Sequence, residues 1–222
     1  MCPGSSGNKP MPDPRPPYSP YGLEASNEIY NLLFCDDPKA FAPRSGETPA
    51  DWQAALFTEP ASADRVRALA VDASMDARVR VLACAWLRTH GHAVEGKDLL
   101  GVIVEVPLDG GLDTLAAFAD EGVRYINQTG KMSIFEGPIA ALSPCVKRLF
   151  EASRAVVARI GPWDKARMPP PRRGHVRLTF LVSDGLYFGE GELSVFQRDS
   201  MAGPVIHAAS ELLQQVVALT TR

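Results

Sequence analysis

The sequence predicts an α+β fold, in which an N-terminal helical block is followed by a two-layer domain with a mainly antiparallel sheet of about six strands. Three observations carry this. Four apolar, β-branched segments follow one another between Leu99 and Phe135, separated only by turn residues. Spacings that short leave no room for a helical crossover, so neighbouring strands run antiparallel. A second hairpin closes on Ser183-Asp184-Gly185, and segments of helical periodicity precede, separate and follow the strands.

Residues 1–22 are rich in proline, glycine and serine and nearly devoid of aliphatic side chains, which reads as a disordered or extended arm. Within it, Pro14-Arg15-Pro16-Pro17 offers polyproline character, although a solubilising tail is the favoured reading. A helical block over 23–92 follows. Ser26 is placed to cap a first helix, with Ile29, Tyr30, Leu33 and Phe34 on one stripe and Asp36-Asp37-Pro38 as its stop. Thr48-Pro49 opens a second helix carrying Trp52, Ala55 and Leu56. Ser62 opens a third with Val66, Leu69 and Ala70, and a fourth carries Val79, Leu82, Ala83 and Trp86 before Gly91. The last two make a helix pair with no second copy at a fixed period, which excludes a repeat array.

Residues 93–222 form the antiparallel α+β domain, either separate from the helical block or joined to it in one unit. Its strands are expected at 99–106, 112–119, 123–128 and 131–135. A helical run follows from Gly137-Pro138 to about Ile160, with Ser143-Pro144 as a possible break. A polar, proline-rich loop spans 164–174. The second hairpin pairs 176–182 with 186–188; Gly189-Glu190-Gly191-Glu192 is expected to break the return strand before a further extended stretch at 193–196. A helix from Gly203-Pro204 to Leu219 closes the chain. Residues 112–119 are apolar on both faces, as expected of a strand covered on both sides or presenting one face for binding. In element order alone, residues 76–220 resemble roadblock-like domains and type III secretion chaperones, which implies a compact domain that binds a protein partner or itself.

Composition narrows the function classes. Hydrophobic residues make up 45% and charged residues 22% of the 222, enough for a real core. A net charge of -3 argues against a general polyanion binder and so against a nucleic-acid partner. Arg65, Arg67, Arg78, Arg80 and Arg88 are interleaved with Asp64, Asp72 and Asp76, the pattern of a solvated mixed-charge face. Four dispersed cysteines without a CxxC read as free thiols in a reducing compartment. With no cationic, apolar leader and no run of about 18 apolar residues, a cytoplasmic protein without a membrane partner is expected. Abundant Ala and Arg suggest a bacterial source.

Chemistry-bearing motifs are sparse. Gly185, Gly189 and Gly191 lack the lysine and strand–turn–helix setting of a phosphate loop, and no G-x-S-x-G elbow occurs. His90 and His92 could share a metal only with help from Glu95 or Asp98, so no metal and no cofactor is expected. His207 and Glu211 read as an ordinary i,i+4 surface pair. Two polar clusters remain as candidate ligand- or partner-binding residues: Tyr125, Asn127 and Lys131 around the third hairpin, and Tyr187, Glu190 and Glu192 on the last strand. Glu190 and Glu192 would project to one side and repel, raising one of their pKa values. Without a nucleophile–base pair, the expected function is a non-catalytic protein-interaction module that uses an apolar sheet face or a helix to bind a protein partner or itself. The alternative is a small-molecule-binding protein or enzyme with its pocket between sheet and helices.

Overall fold

The computed structural model describes residues 16–221. The fold is α+β, as the sequence predicts. Four helices come first: α1 (Glu24–Leu32), α2 (Asp51–Phe57), α3 (Ala63–Val71) and α4 (Ala77–Thr89). Strands β1 (Leu99–Leu108), β2 (Gly111–Phe118), β3 (Val123–Ile126) and β4 (Met132–Phe135) follow, then α5 (Ser143–Val157). The chain ends with β5 (His175–Val182), β6 (Gly185–Glu192), α6 (Leu193–Phe196) and α7 (Ala202–Thr220). The six strands form one sheet in the order β4-β3-β2-β1-β5-β6, and every neighbouring pair is antiparallel.

Alternation along the central strands divides the side chains between two cores. Val102, Val104, Leu115, Ala117, Leu178 and Phe180 pack against Leu149 of α5 and Val205, Leu212 and Val216 of α7. Ile103, Ala116, Phe118 and Leu181 face the other way and pack against Tyr30, Phe34, Leu82 and Leu87. The helical block therefore sits on the sheet, and β2 is apolar on both faces because both are covered. Tyr30, Phe34, Leu82 and Leu87 are each at most 2% exposed, and full burial of such a side chain contributes roughly 1.5–3 kcal/mol.

Several local expectations are corrected. Ser26 does not cap α1, which starts at Glu24; it is fully buried, and its Oγ donates 2.7 Å to the Gly130 carbonyl in the β3–β4 turn. Pro144 stands in the first turn of α5, where its missing N–H is harmless, so it starts that helix rather than splitting it. The glycine run does not break β6, which continues to Glu192. Residues 193–196 form a helical turn, not a strand, and this turn sets the Phe196 ring against Gly189 and Gly191. The expected arm is not free over its whole length: residues 1–15 lie outside the described residues, but Tyr18 and Tyr21 are buried. Asn31 and Asn27 hold the main chain of these two tyrosines, each accepting from the backbone N–H and donating to the backbone carbonyl. Aromatic rings thus anchor a stretch that lacks aliphatic anchors.

Gly111 shows how tightly the β1–β2 and β3–β4 turns are packed. Its φ is +146°, and a Cβ there would run into the carbonyl oxygen of Gln128. Gly111→Ala is expected to cost about 1–3 kcal/mol in urea denaturation. Gly174→Ala, also at positive φ (+80°) but facing open space, is expected to cost about 1 kcal/mol or less. Equal losses at the two positions would show that backbone conformation alone, and not turn packing, sets the requirement at Gly111.

Candidate functional site

A polar row crosses the sheet on the side of the helical block. Thr114 of β2, Glu105 of β1, Arg177 of β5 and Glu190 of β6 are successive register partners, so their side chains stand side by side. Glu105 and Thr114 are 0% exposed and Arg177 is 4% exposed. Of the buried side-chain atoms in the row, all but one carboxylate oxygen have a hydrogen-bond partner. Tyr30 of α1 donates 2.6 Å to Glu105 Oε1, and Tyr21 Oη lies 2.8 Å from Thr114 Oγ1. Arg177 Nε donates 2.9 Å to Glu190 Oε2, its Nη2 donates to the same oxygen, and its Nη1 donates 3.1 Å to the Met168 carbonyl. Glu105 Oε2 has no hydrogen bond, and Arg177 Nη1 approaches it only to 3.9 Å. Burial pushes the Glu105 carboxyl above its ordinary value; Arg177, the Tyr30 hydrogen bond and Arg167 pull it back. Burial and the neighbouring Glu105 push the Tyr30 hydroxyl far upward, which keeps it a donor.

The helices cover this row only in part. The segment 161–174 runs from the end of α5 to β5 as a strap over the β6 side. Trp163 bridges to Leu186 through a 2.7 Å backbone hydrogen bond and sets its ring edge-on to Phe188. Arg167 is the deepest anchor of the strap, 6% exposed in a chain segment that is otherwise mostly at the surface. Its guanidinium lies 3.8 Å from the Phe34 ring centre, 5.0 Å from Tyr18 and 5.3 Å from Tyr30. Nε donates 2.8 Å to Asp36 Oδ2 and Nη2 donates 2.9 Å to Asn31 Oδ1, while the Tyr18 hydroxyl donates 2.7 Å to the Arg167 carbonyl.

The six candidate residues from the sequence do not converge. Glu190 alone joins the polar row, where Arg177 rather than a second carboxylate is its neighbour. Glu192 is exposed at the end of β6. Tyr125 and Tyr187 face the opposite core; their hydroxyls donate 2.8 Å to Asp113 and Asp184 respectively. Asn127 holds the β3–β4 turn by accepting from the Thr129 N–H, the Thr129 hydroxyl and the Lys131 N–H, and Lys131 is exposed beside it. Sequence reasoning missed Glu105, Arg167 and Arg177. Glu105 was detectable as a lone charge within Val102-Ile103-Val104-Glu105-Val106.

Two of the surface recesses and one open edge bear on binding. A recess of about 250 Å³ between the sheet and α7 is lined by Val106, Leu115, Tyr125, Leu193, Ile206 and Leu213. An open cleft of about 530 Å³ runs along α1, with Glu24, Glu28, Asn31, Asp36, Asp37 and Arg44 on its walls. At the sheet edges, β6 is bridged by Trp163, whereas among the described residues β4 has no strand on its outer side. His90 and His92 stack on Trp86, and among the described residues no three metal-binding side chains gather. No helix of the described residues is long and apolar enough to cross a membrane. Cys35, Cys84 and Cys145 are free and buried, and Cys2 lies outside the described residues. The chain matches no protein-family model, and no curated protein or solved structure resembles it at a significant level.

Glu105 makes a pH-dependent contribution with a definite sign. Its raised value means that the folded protein holds this proton more tightly than the unfolded chain. The contribution is therefore complete below about 4.5 and is lost as pH rises through the raised value. Glu105→Gln keeps the shape and cannot ionise. From pH 4.5 toward neutrality, urea denaturation should show the variant gaining on the wild type by up to about 1.4 kcal/mol per pH unit. A pH-independent difference would show that Arg177 fully offsets the burial of Glu105.

Proposed function

We propose that this domain is a non-catalytic protein-binding module that takes an extended partner segment along the outer edge of β4. The observation that carries this is the state of that edge. The Asn127 N–H donates 2.9 Å to the Lys131 carbonyl, so the backbone of Lys131 points at β3. Strand alternation then turns the backbone groups of Met132 and Ile134 outward. Their side chains are also 38% and 44% exposed. Leu23, 55% exposed, lies beside the same turn against Gly130. Unpaired backbone groups flanked by exposed apolar side chains suit strand addition, with main-chain hydrogen bonds for affinity and side chains for selectivity. Since helices or the strap cover both faces of the central strands, the edge replaces the sheet face as the favoured surface.

A second reading has one observation in its favour. The recess beneath α7 is apolar with the Tyr125–Asp113 pair at its wall, a setting that suits a small hydrophobic ligand with one polar group. Under it, a metabolite should raise the melting midpoint of the wild type but not of Ala209→Leu, which fills the recess.

The edge reading is tested with the double variant Met132→Lys/Ile134→Lys. Its melting temperature should fall by no more than a few degrees, because neither side chain belongs to the buried core. A partner retained by the immobilised wild type should be lost by the variant, and a proline at Ile134, which removes the outward N–H, should also lose it. If both variants retain the same partners as the wild type, binding does not occur at this edge.

A further inference from the structure

We infer that the clasp around Arg167 is an arginine-recognition site, filled in cis by the strap and open in exchange to an arginine side chain of a partner. This site lies on α1 and is independent of the β4 edge. Three rings, Phe34, Tyr18 and Tyr30, surround one guanidinium, and Asp36 and Asn31 take two of its nitrogens at 2.8 and 2.9 Å. Flat stacking surfaces combined with a carboxylate and an amide oxygen match the planar fork of arginine better than the compact ammonium of lysine. The site is also reachable. Asn31 and Asp36 line the open cleft along α1, where, among the described residues, Glu24, Glu28 and Asp37 stand against one cation, Arg44. A basic segment lying in that cleft would meet complementary charge and place an arginine at the two groups that now hold Arg167.

The strap is suited to yield. Asp164, Lys165, Ala166, Met168, Arg172 and Arg173 are exposed, leaving Arg167 and Pro171 as its buried side chains. Departure of Arg167 would take its guanidinium from Asp36, Asn31 and the Phe34 and Tyr30 rings, a site that favours refilling by another guanidinium. Lifting the strap would also remove the Met168 carbonyl from Arg177, so occupancy of the clasp is coupled to hydration of the polar row. No covalent step is involved.

The experiment uses the full chain with Arg167→Ala, titrated with N-acetyl-arginine amide and, in parallel, N-acetyl-lysine amide. The arginine derivative should raise the melting temperature saturably and shift the ring resonances of Tyr18, Tyr30 and Phe34, with the lysine derivative at least about tenfold weaker. Adding Asp36→Asn should abolish the response. A folded Arg167→Ala that ignores both compounds, or takes them equally, overturns the inference and leaves Arg167 a structural clasp. Should Arg167→Ala fail to fold, hydrogen exchange of the wild type decides. The arginine derivative should raise exchange across 161–174 more than the lysine derivative does, and equal exchange with both overturns the inference.

Discussion

A carboxyl group buried in the middle of a doubly covered sheet is the constraint on which the rest of this structure depends. Glu105 lies on β1, a central strand paired along both sides, and has no exposure to water. A buried carboxyl group must be hydrogen-bonded, paired or protonated, since an isolated charge there costs several kcal/mol or more. Its partners come from three separate parts of the chain: Tyr30 from the helical block, Arg177 from the second hairpin and, one step further out, Arg167 from the strap. Satisfying one side chain thus constrains how the N-terminal helices, the hairpin and the loop between α5 and β5 assemble.

The arrangement also explains why this face is not finished with helices alone. Above β1 and β2, α1 and α4 lay down an ordinary apolar layer. Above β5 and β6 the sheet presents Arg177, Thr179 and Glu190, and a helix with an apolar stripe would leave them unpartnered. The strap supplies main-chain groups instead, such as the Met168 carbonyl that accepts from Arg177. An irregular, proline-rich segment suits this task because its carbonyls are not consumed in helical hydrogen bonds.

Much of the fold was legible because it is locally encoded. The strands at 99–135 are marked by alternation and by turn residues a few positions apart, and Ser183-Asp184-Gly185 marks the second hairpin. The docking of the helical block was foreshadowed only by the two-sided apolarity of β2. The polar site was largely illegible, because its members lie far apart in sequence: Tyr18, Tyr30, Glu105, Arg167 and Arg177 meet only through sheet register and helix docking. Arg167 sits in a stretch whose prolines and charges read as solvated loop, and nothing local distinguishes it from Arg172 or Arg173. The residues that did stand out locally, Asn127 above all, stood out because turns need them.

The two faces differ in what it costs to disturb them. Separating α5 and α7 from the sheet would expose Leu149, Phe180, Leu212 and Val216 together, so that layer opens only with the whole domain. Opening under the strap exposes Arg177, Thr179 and Glu190, which exchange protein hydrogen bonds for water, together with the ring faces that Arg167 and Trp163 cover. The side that carries the clasp and the acidic cleft is therefore the less costly of the two to open, because the strap covers a few rings and a polar row where α5 and α7 cover an entire apolar core.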